Sequence, residues 1–404
     1  MDQVTLGMVL EARERLKNVV RRTDLVPSKI LSNEKREVYL KTECLQHTGS
    51  FKVRGAYNKI SQLSPDELKC GVIASSAGNH AQGVALAAQT FGVKATIVMP
   101  EGAPLAKVAA TRGYGAEVVL SGAVYDDAYA KAMAIQKETG ATFVHPFNDP
   151  LVIAGQGSVG LEIMDEMPDL NAVVVPVGGG GLISGVAIAV KLLHPQVKVI
   201  GVQASGAPSM LTSLREEKIT SLASANTIAD GIAVKTPGDL TYDICRKYVD
   251  EIVTVDDDEI AAAILTLLEK CKIVAEGAGA VSVAAVMHGK INVEGKIACV
   301  VSGGNIDVTT LQRIMDKGLI KSGRLAKVNT VIEDRPGRLS KLLAVVSQTG
   351  ANVVSIQHDR TNLDVGIGMS FLELTLETND SDHLSRVLKQ MSDNGYQILN
   401  AKSH

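Results

Sequence analysis

Aromatic side chains are scarce in this chain of 404 residues, which has five Phe, eight Tyr and no Trp. Proteins that grip single-stranded nucleic acid stack bases on aromatic rings, so so few rings argue against that partner and against an aromatic-lined sugar cleft. Excess positive charge is missing too. A net charge of −3 removes the electrostatic reason to expect nucleic acid. The five cysteines (Cys44, Cys70, Cys245, Cys271, Cys299) are widely spaced and contain no Cys-x-x-Cys pair. They read as reduced, mostly buried thiols, and not as a zinc or redox centre. Residues 1–10 lack a basic segment followed by an apolar run, so no secretory signal is visible and a cytoplasmic protein is expected. The stretch 172–190 is uncharged for nearly a membrane-spanning length. It contains Pro176 and five glycines (Gly178, Gly179, Gly180, Gly181, Gly185), which suits a strand, turn and helix in a buried sheet, and no membrane partner is expected.

Apolar material is ample, with 46% hydrophobic and 21% charged residues, and the length calls for two or three domains. Short apolar runs at 71–75, 95–99, 117–120, 172–177, 198–203 and 296–302 predict buried strands, with helix-period segments between them. Ala81, Val84, Ala85 and Ala88 share one helix face, and Asp256, Asp257 and Asp258 suit the start of an apolar helix at 262–268. The fold class is therefore α/β with open twisted parallel sheets. Near Lys317 the pattern changes. Residues 319–325 read as a linker between a first domain, 1–318, and a second, 326–404. The second reads strand 326–332, helix 339–349, strand 353–360, strand 369–378, helix 381–394 and strand 396–400, the βαββαβ order of a ferredoxin-like sandwich.

Four small-residue loops lie after strands or at helix starts. In Gly49-Ser50-Phe51-Lys52-Val53-Arg54-Gly55-Ala56 the lysine is either an ordinary surface lysine or an accessible amine for Schiff-base chemistry. Ser75-Ser76-Ala77-Gly78-Asn79-His80 runs into a helix and is either a simple cap or a carboxylate site built from amides and hydroxyls. His80 is as suited to a satisfied core position as to catalysis. Gly178-Gly179-Gly180-Gly181 is a structural turn or a phosphate cradle. A dinucleotide site is weakened because the next strand ends in Gln203 where an acidic ribose ligand belongs, and no P-loop Gly-Lys-Ser/Thr follows. Val301-Ser302-Gly303-Gly304-Asn305 ends a strand, and Ser302 is a turn residue or a donor to a ligand heteroatom. No zincin helix, nucleophile elbow or His/Cys cluster is present.

A Schiff-base lysine, a carboxylate loop, a phosphate cradle and a hydroxyl for a ring nitrogen are together what pyridoxal phosphate and an amino acid require. The segments 50–56, 76–80, 178–181, Glu276-Gly277-Ala278-Gly279 and 302–305 resemble those of the threonine dehydratases of pyridoxal-phosphate fold type II, in family order over roughly residues 5 to 320. The resemblance implies two sheet subdomains, the smaller one at about 50–150 inserted in the larger. It implies that Lys52 carries the cofactor and takes the α-proton, that Phe51 packs beside the cofactor, and that Asn79 bonds the ring hydroxyl. Gly178, Gly179, Gly180, Gly181 and Leu182 would hold the phosphate, with Glu276 near the ring and Ser302 at the pyridine nitrogen. Ser76, Ala77, Gly78 and His80 would hold the substrate carboxylate. The implied reaction eliminates water from threonine, and also from serine, to give a 2-oxo acid and ammonia. Serine racemases of the same family carry a serine where this chain has Ala77, so racemisation is expected to be weak. They also bind a divalent ion through two carboxylates, and here the matching positions are Gln203 and Ser209. No metal is therefore expected, beyond a monovalent cation on backbone carbonyls.

The C-terminal unit resembles an ACT regulatory domain. Asp334-Arg335-Pro336-Gly337 and Gly350-Ala351-Asn352 match its ligand-binding corner, where two such domains usually pair across an interface, which implies an amino-acid effector at Asp334, Gly337 and Asn352, such as isoleucine or valine. The alternative is a dimerisation unit without ligand. A homodimer or homotetramer is expected.

Overall fold

A computed structural model describes residues 4–402, which form two compact units that divide between Ile306 and Asp307. Met1 to Gln3, the first residues of the N-terminal segment read above, lie outside that range.

The first unit is built on two sheets. The six-stranded one runs in the order Leu25–Pro27, Arg36–Lys41, Gly295–Val300, Ala172–Pro176, Lys198–Ala204 and Glu251–Val255. Only the first pairing is antiparallel. The four-stranded sheet is parallel throughout, in the order Glu117–Leu120, Ala95–Met99, Val72–Ser75 and Thr142–Phe143. Parallel strands need crossover helices on both faces and so become buried on both. Val72–Ser75, Ala95–Met99 and Ala172–Pro176 are buried at every position, which is why they stand out as continuous apolar runs. Ligands in such sheets bind beyond the carboxyl ends of the strands. Ser76, Gly178 and Ser302 all follow strand ends there.

Four strands of the first unit lie outside the expected runs, Glu251–Val255 and three others. Leu25–Pro27 is a three-residue edge strand, where proline is tolerated. Arg36–Lys41 contains four charged or hydroxylic residues, yet its Lys41 is fully buried on an ion pair. Thr142–Phe143 is two residues long. The helix expected at 262–268 begins earlier, at Asp257, because Asp256 caps it and Glu259 closes a capping box. It continues into a wider turn over Leu267–Cys271.

The second unit opens with helix Val308–Lys321, which occupies part of the expected first domain and of the expected linker. Only Ser322, Gly323 and Arg324 separate it from the next strand, Leu325–Glu333. The polar, glycine-containing composition of 317–324 reflects an exposed helix end, not a linker. The four strands lie antiparallel in the order Asn352–Asp359, Met369–Glu377, Leu325–Glu333 and Ile398–Lys402. Helices Arg338–Gln348 and Ser381–Asp393 contribute Leu342, Val346, Val387 and Met391 to one core with Val328, Leu372 and Leu374. Strand Met369–Glu377 alternates buried and half-buried residues, as a sheet covered on one face requires. The last strand lies two residues later than expected, at Ile398–Lys402.

Candidate active site

Lys52 is the first residue of helix Lys52–Ile60, an unfavourable place for a cation. Its Nζ donates to the carbonyl of Pro146 at 2.8 Å and lies 5.2 Å from the ring centre of Phe51. The side chain as a whole is half-buried, but its amine is closely surrounded. Burial lowers its pKa to about 8, against a weaker upward pull from Glu276. Such an amine holds an appreciable free-base fraction at neutral pH. The loop before it is stitched to the Ser302 loop: Phe51 N–H donates to Ser302 O at 3.1 Å and Gly304 N–H to Gly49 O at 2.9 Å.

Across the cleft, Gly78 precedes helix Asn79–Thr90. A Cβ on Gly78 would meet nothing within 4 Å, so this residue faces open space. Gly78 N–H donates to Ser76 Oγ at 3.2 Å. Among the described residues, no protein group accepts from the amides of Ala77, Asn79 or His80. The His80 ring does not enter the cleft chemistry. It is 3% exposed, its Nε2 is 2.8 Å from Val144 O, and burial drops its pKa to about 3, so it is a neutral core residue.

The glycine loop leaves strand Ala172–Pro176 and starts helix Gly181–Leu193. Gly180 has φ +97°, which a side chain would strain. A Cβ on Gly179 would sit 2.5 Å from ring atoms of Phe147, and one on Gly181 would sit 2.8 Å from the Phe147 backbone. Thr241 Oγ1 fastens the loop by donating to Gly179 O at 2.6 Å. Among the described residues, the amides of Gly178, Gly179, Gly180, Gly181 and Leu182 have no protein acceptor. Five unpartnered amides at a helix start form an anion site.

Between these loops lies a polar cluster. Asn79 Nδ2 donates to Glu276 Oε1 at 2.6 Å, and Asn305 Nδ2 donates to Asn79 Oδ1 and to Thr48 O, each at 2.7 Å. A Cβ on Gly303 would lie 2.2 Å from Glu276 Oε1 and 3.1 Å from Asn79 Nδ2, so only glycine lets that strip pass. Glu276 is 5% exposed, and its pKa is raised to about 7, by burial first and then by Asp230, with the Asn79 bond opposing. Ser302, also buried, donates to Ala278 O at 3.3 Å.

Residues 16–303 match the model of the pyridoxal-phosphate dependent enzymes, well over half of the chain. The chain belongs to the pyridoxal-phosphate dependent enzymes. Residues 322–394 match the ACT domain. The chain is 57% identical to an L-threonine ammonia-lyase of Thermotoga maritima over 98% of its own length and 99% of the relative's. Among solved structures it resembles maize serine racemase (TM-score 0.74, 38% identity, 78% of this chain and 98% of that one). It also resembles the processed form of threonine deaminase isoform 2 from Solanum lycopersicum (TM-score 0.74, 40% identity, 77% and 87%).

The residues present fit this family's cofactor. One amine with a lowered pKa and one nest of free amides stand in the same cleft, as an aldehyde and a phosphate on one molecule require. Two features of this pyridoxal-phosphate enzyme escaped the sequence reading. Residues 143–148 lie against both Lys52 and the glycine loop, and the signal for them was a Phe at 143 and at 147 in a chain nearly without aromatics. Arg54 is fully buried between Glu43 and Glu162, and nothing in composition marks a buried arginine.

Both polar atoms of the Gln203 side chain are bonded within the protein. Its Oε1 accepts from Leu211 N–H at 2.8 Å and its Nε2 donates to Ala207 O at 3.3 Å. In the second unit, the three expected effector residues are not gathered at one place. Asn352 and Leu325 both pair with Glu377, whereas Glu333, next to Asp334, pairs with Met369. Eight residues of extended strand put Asn352 about 27 Å from the Asp334 end. Gly337 is at that far end, and Asp334 is ion-paired to Arg360 at 3.0 Å. A single unit therefore does not form the expected corner.

Proposed function

We propose that the chain is an L-threonine ammonia-lyase: it eliminates water from L-threonine, and hydrolysis of the released enamine, through its imine, gives 2-oxobutanoate and ammonia, while L-serine gives pyruvate and ammonia in the same way. The observation that carries this reading is the Lys52 amine, brought to a pKa of about 8 opposite the free amides of Gly178 to Leu182. The 57% identity to the Thermotoga maritima relative, over nearly both whole chains, supports the substrate.

When bound, pyridoxal phosphate supplies a carbonyl for amine exchange and a ring that takes up the electrons left at Cα. The chain's own residues do the rest. The amides of Gly178, Gly179, Gly180, Gly181 and Leu182 bind the phosphate, and Phe51 packs beside the ring. Asn79, held by Glu276 and Asn305, orients the ring hydroxyl. Ser76 with the amides of Ala77, Gly78 and His80 binds the substrate carboxylate. Lys52 Nζ takes the α-proton and is set by Pro146 O. Ser302 meets the ring nitrogen with a neutral hydroxyl, which does not enforce its protonation as a carboxylate would, and this suits prompt elimination. The ACT unit binds a regulatory amino acid at Asp334 and Gly337 of one copy and Asn352 of another, within a homodimer or homotetramer in the cytoplasm.

The test is 2-oxo acid release from threonine and serine, with and without isoleucine or valine. Lys52→Ala should lose the visible absorption of the bound cofactor and lower kcat by at least about four orders of magnitude. Undiminished turnover in that variant sinks the assignment.

A further inference from the structure

His145 is a titratable residue that the proposed chemistry does not use, and it sits at the centre of an unusual concentration of rings. Four of the thirteen aromatic residues line up with it: Tyr125, Tyr129, Phe143, His145 and Phe147 have successive ring-centre separations of 6.2, 5.6, 6.2 and 4.7 Å. In so aromatic-poor a chain this row marks where rigid packing is concentrated.

The backbone at its inner end makes a tight turn. Val144 still belongs to the sheet edge, its N–H donating to Ile73 O at 2.9 Å. The chain then folds back on the imidazole. His145 Nδ1 accepts from Asn148 N–H at 2.8 Å and from Phe147 N–H at 3.3 Å. Pro146, between them, has no N–H to satisfy, and its carbonyl is the acceptor for Lys52 Nζ at 2.8 Å. Phe147 fills the space where side chains on Gly179 and Gly181 would be. Asn148 anchors the end of the turn, donating to Asp239 Oδ1 at 2.7 Å and accepting from Leu240 N–H at 3.2 Å. One short turn thus presents a carbonyl to the lysine and a ring to the glycine loop.

We propose that His145 is a positioning residue for both halves of the cofactor site: its unprotonated Nδ1 is the acceptor that closes the 145–148 turn, which in turn sets the Pro146 carbonyl against Lys52 and the Phe147 ring against the glycine loop. The inference rests on the reading of Lys52 and that loop as the cofactor's amine and phosphate partners. An imidazole accepting at Nδ1 carries its proton on Nε2, and a protonated ring would turn Nδ1 into a donor facing two other donors. The charged and titratable groups facing it are Lys52, His80, Asp149 and Asp239. Burial, then Lys52, holds its pKa down to about 4, while Asp149 and Asp239 oppose. The acceptor form is thereby kept throughout the neutral range.

The experiment uses the full-length protein with His145→Leu and His145→Asn. An asparagine side chain restores a short-range acceptor without a ring, so it is the rescue variant. Equilibrium binding of pyridoxal phosphate to the apo protein is read from the visible band, and the tautomer of His145 in the wild type by nitrogen-detected NMR at pH 7. The expected results are an Nε2–H neutral imidazole, cofactor binding weakened at least about tenfold in His145→Leu, and recovery to within about threefold in His145→Asn. An Nδ1–H tautomer overturns the proposal, and so does equal binding by the two variants, whether strong or weak. If His145→Leu does not fold, the tautomer and His145→Asn decide alone, and a tenfold loss in the latter overturns it. Full turnover in Lys52→Ala would instead remove the reading of the lysine while leaving the tautomer and the binding comparison intact.

Discussion

Lys52 and Arg54 are two residues apart on one helix and face two polar clusters built on opposite terms. Arg54 is fully buried. Its three nitrogens reach both oxygens of Glu43, both of Glu162, Ser158 Oγ and Arg21 O, at 2.6 to 3.3 Å. Lys41 Nζ adds bonds to Glu162 and Thr23 O, both at 2.6 Å. Two cations meet two carboxylates, and the donors find acceptors. On the Lys52 side the accounts stay open: a lysine with a lowered pKa, a carboxyl with a raised one and two rows of amides without acceptors. A closed network holds structure, because each buried polar group is satisfied. An open one is held ready for something that is not protein.

The largest effect that separates the two is expected at Arg54. Arg54→Met leaves Lys41 as the one cation of the network for Glu43 and Glu162, and removing one partner of a buried ion pair costs about 3 to 5 kcal/mol. Chemical denaturation should show that loss, whereas Lys52→Ala should melt close to the wild type while losing turnover. Equal stability of Arg54→Met and the wild type would mean the closed network carries no structural weight.

Next in size is a pH effect at Glu276. Its folded pKa of about 7 lies above the ordinary 4.5, so the folded protein binds this proton more tightly than the unfolded chain. The associated stability is complete below the unfolded pKa and is lost as pH rises through the folded one. Between pH 5 and 7, cofactor-free wild type should lose about 2 kcal/mol relative to Glu276→Gln, which keeps the acceptor for Asn79 and does not ionise. Parallel pH profiles for the two proteins would show that Glu276 is charged in the native state.

Legibility in the sequence followed the same division. Residues of the open cluster were readable because they sit in small-residue loops after buried strands: Ser76 to His80, the four glycines and Ser302 each announce a chain reversal that only close backbone approach explains. Six of the parallel strands were readable as short apolar runs. What escaped was whatever depends on a partner distant in sequence. Lys41 and Arg54 look like surface residues until Glu162 is placed beside them. Likewise, Arg36–Lys41 is a strand with charged residues because its burial is compensated from another element. His80 looked equally suited to core or catalysis, and Val144 O, 64 residues away, decides for the core. The effector residues show the converse case, nearness in sequence without nearness in one unit. Asp334 and Asn352 are 18 positions apart in sequence, yet strand pairing sends them to opposite ends of one sheet.

The smallest expected effect tests whether closure itself is what the Arg54 network contributes. Thr23 Oγ1 donates to Glu43 Oε1 at 2.5 Å at the margin of that network. Burial pushes the Glu43 carboxyl up, but Arg54 above all, with Lys41 and this hydroxyl, outweighs burial and holds its pKa below the ordinary value. Thr23→Val keeps shape and removes one hydrogen bond, leaving the Arg54 and Lys41 charges in place. The cost should be about 1 to 2 kcal/mol, read as a shift in denaturation midpoint, with kcat and KM for threonine unchanged. A fall in kcat without a change in stability would place Thr23 and Glu43 with the open cluster instead, and would mean that the two sides of the helix are energetically one site.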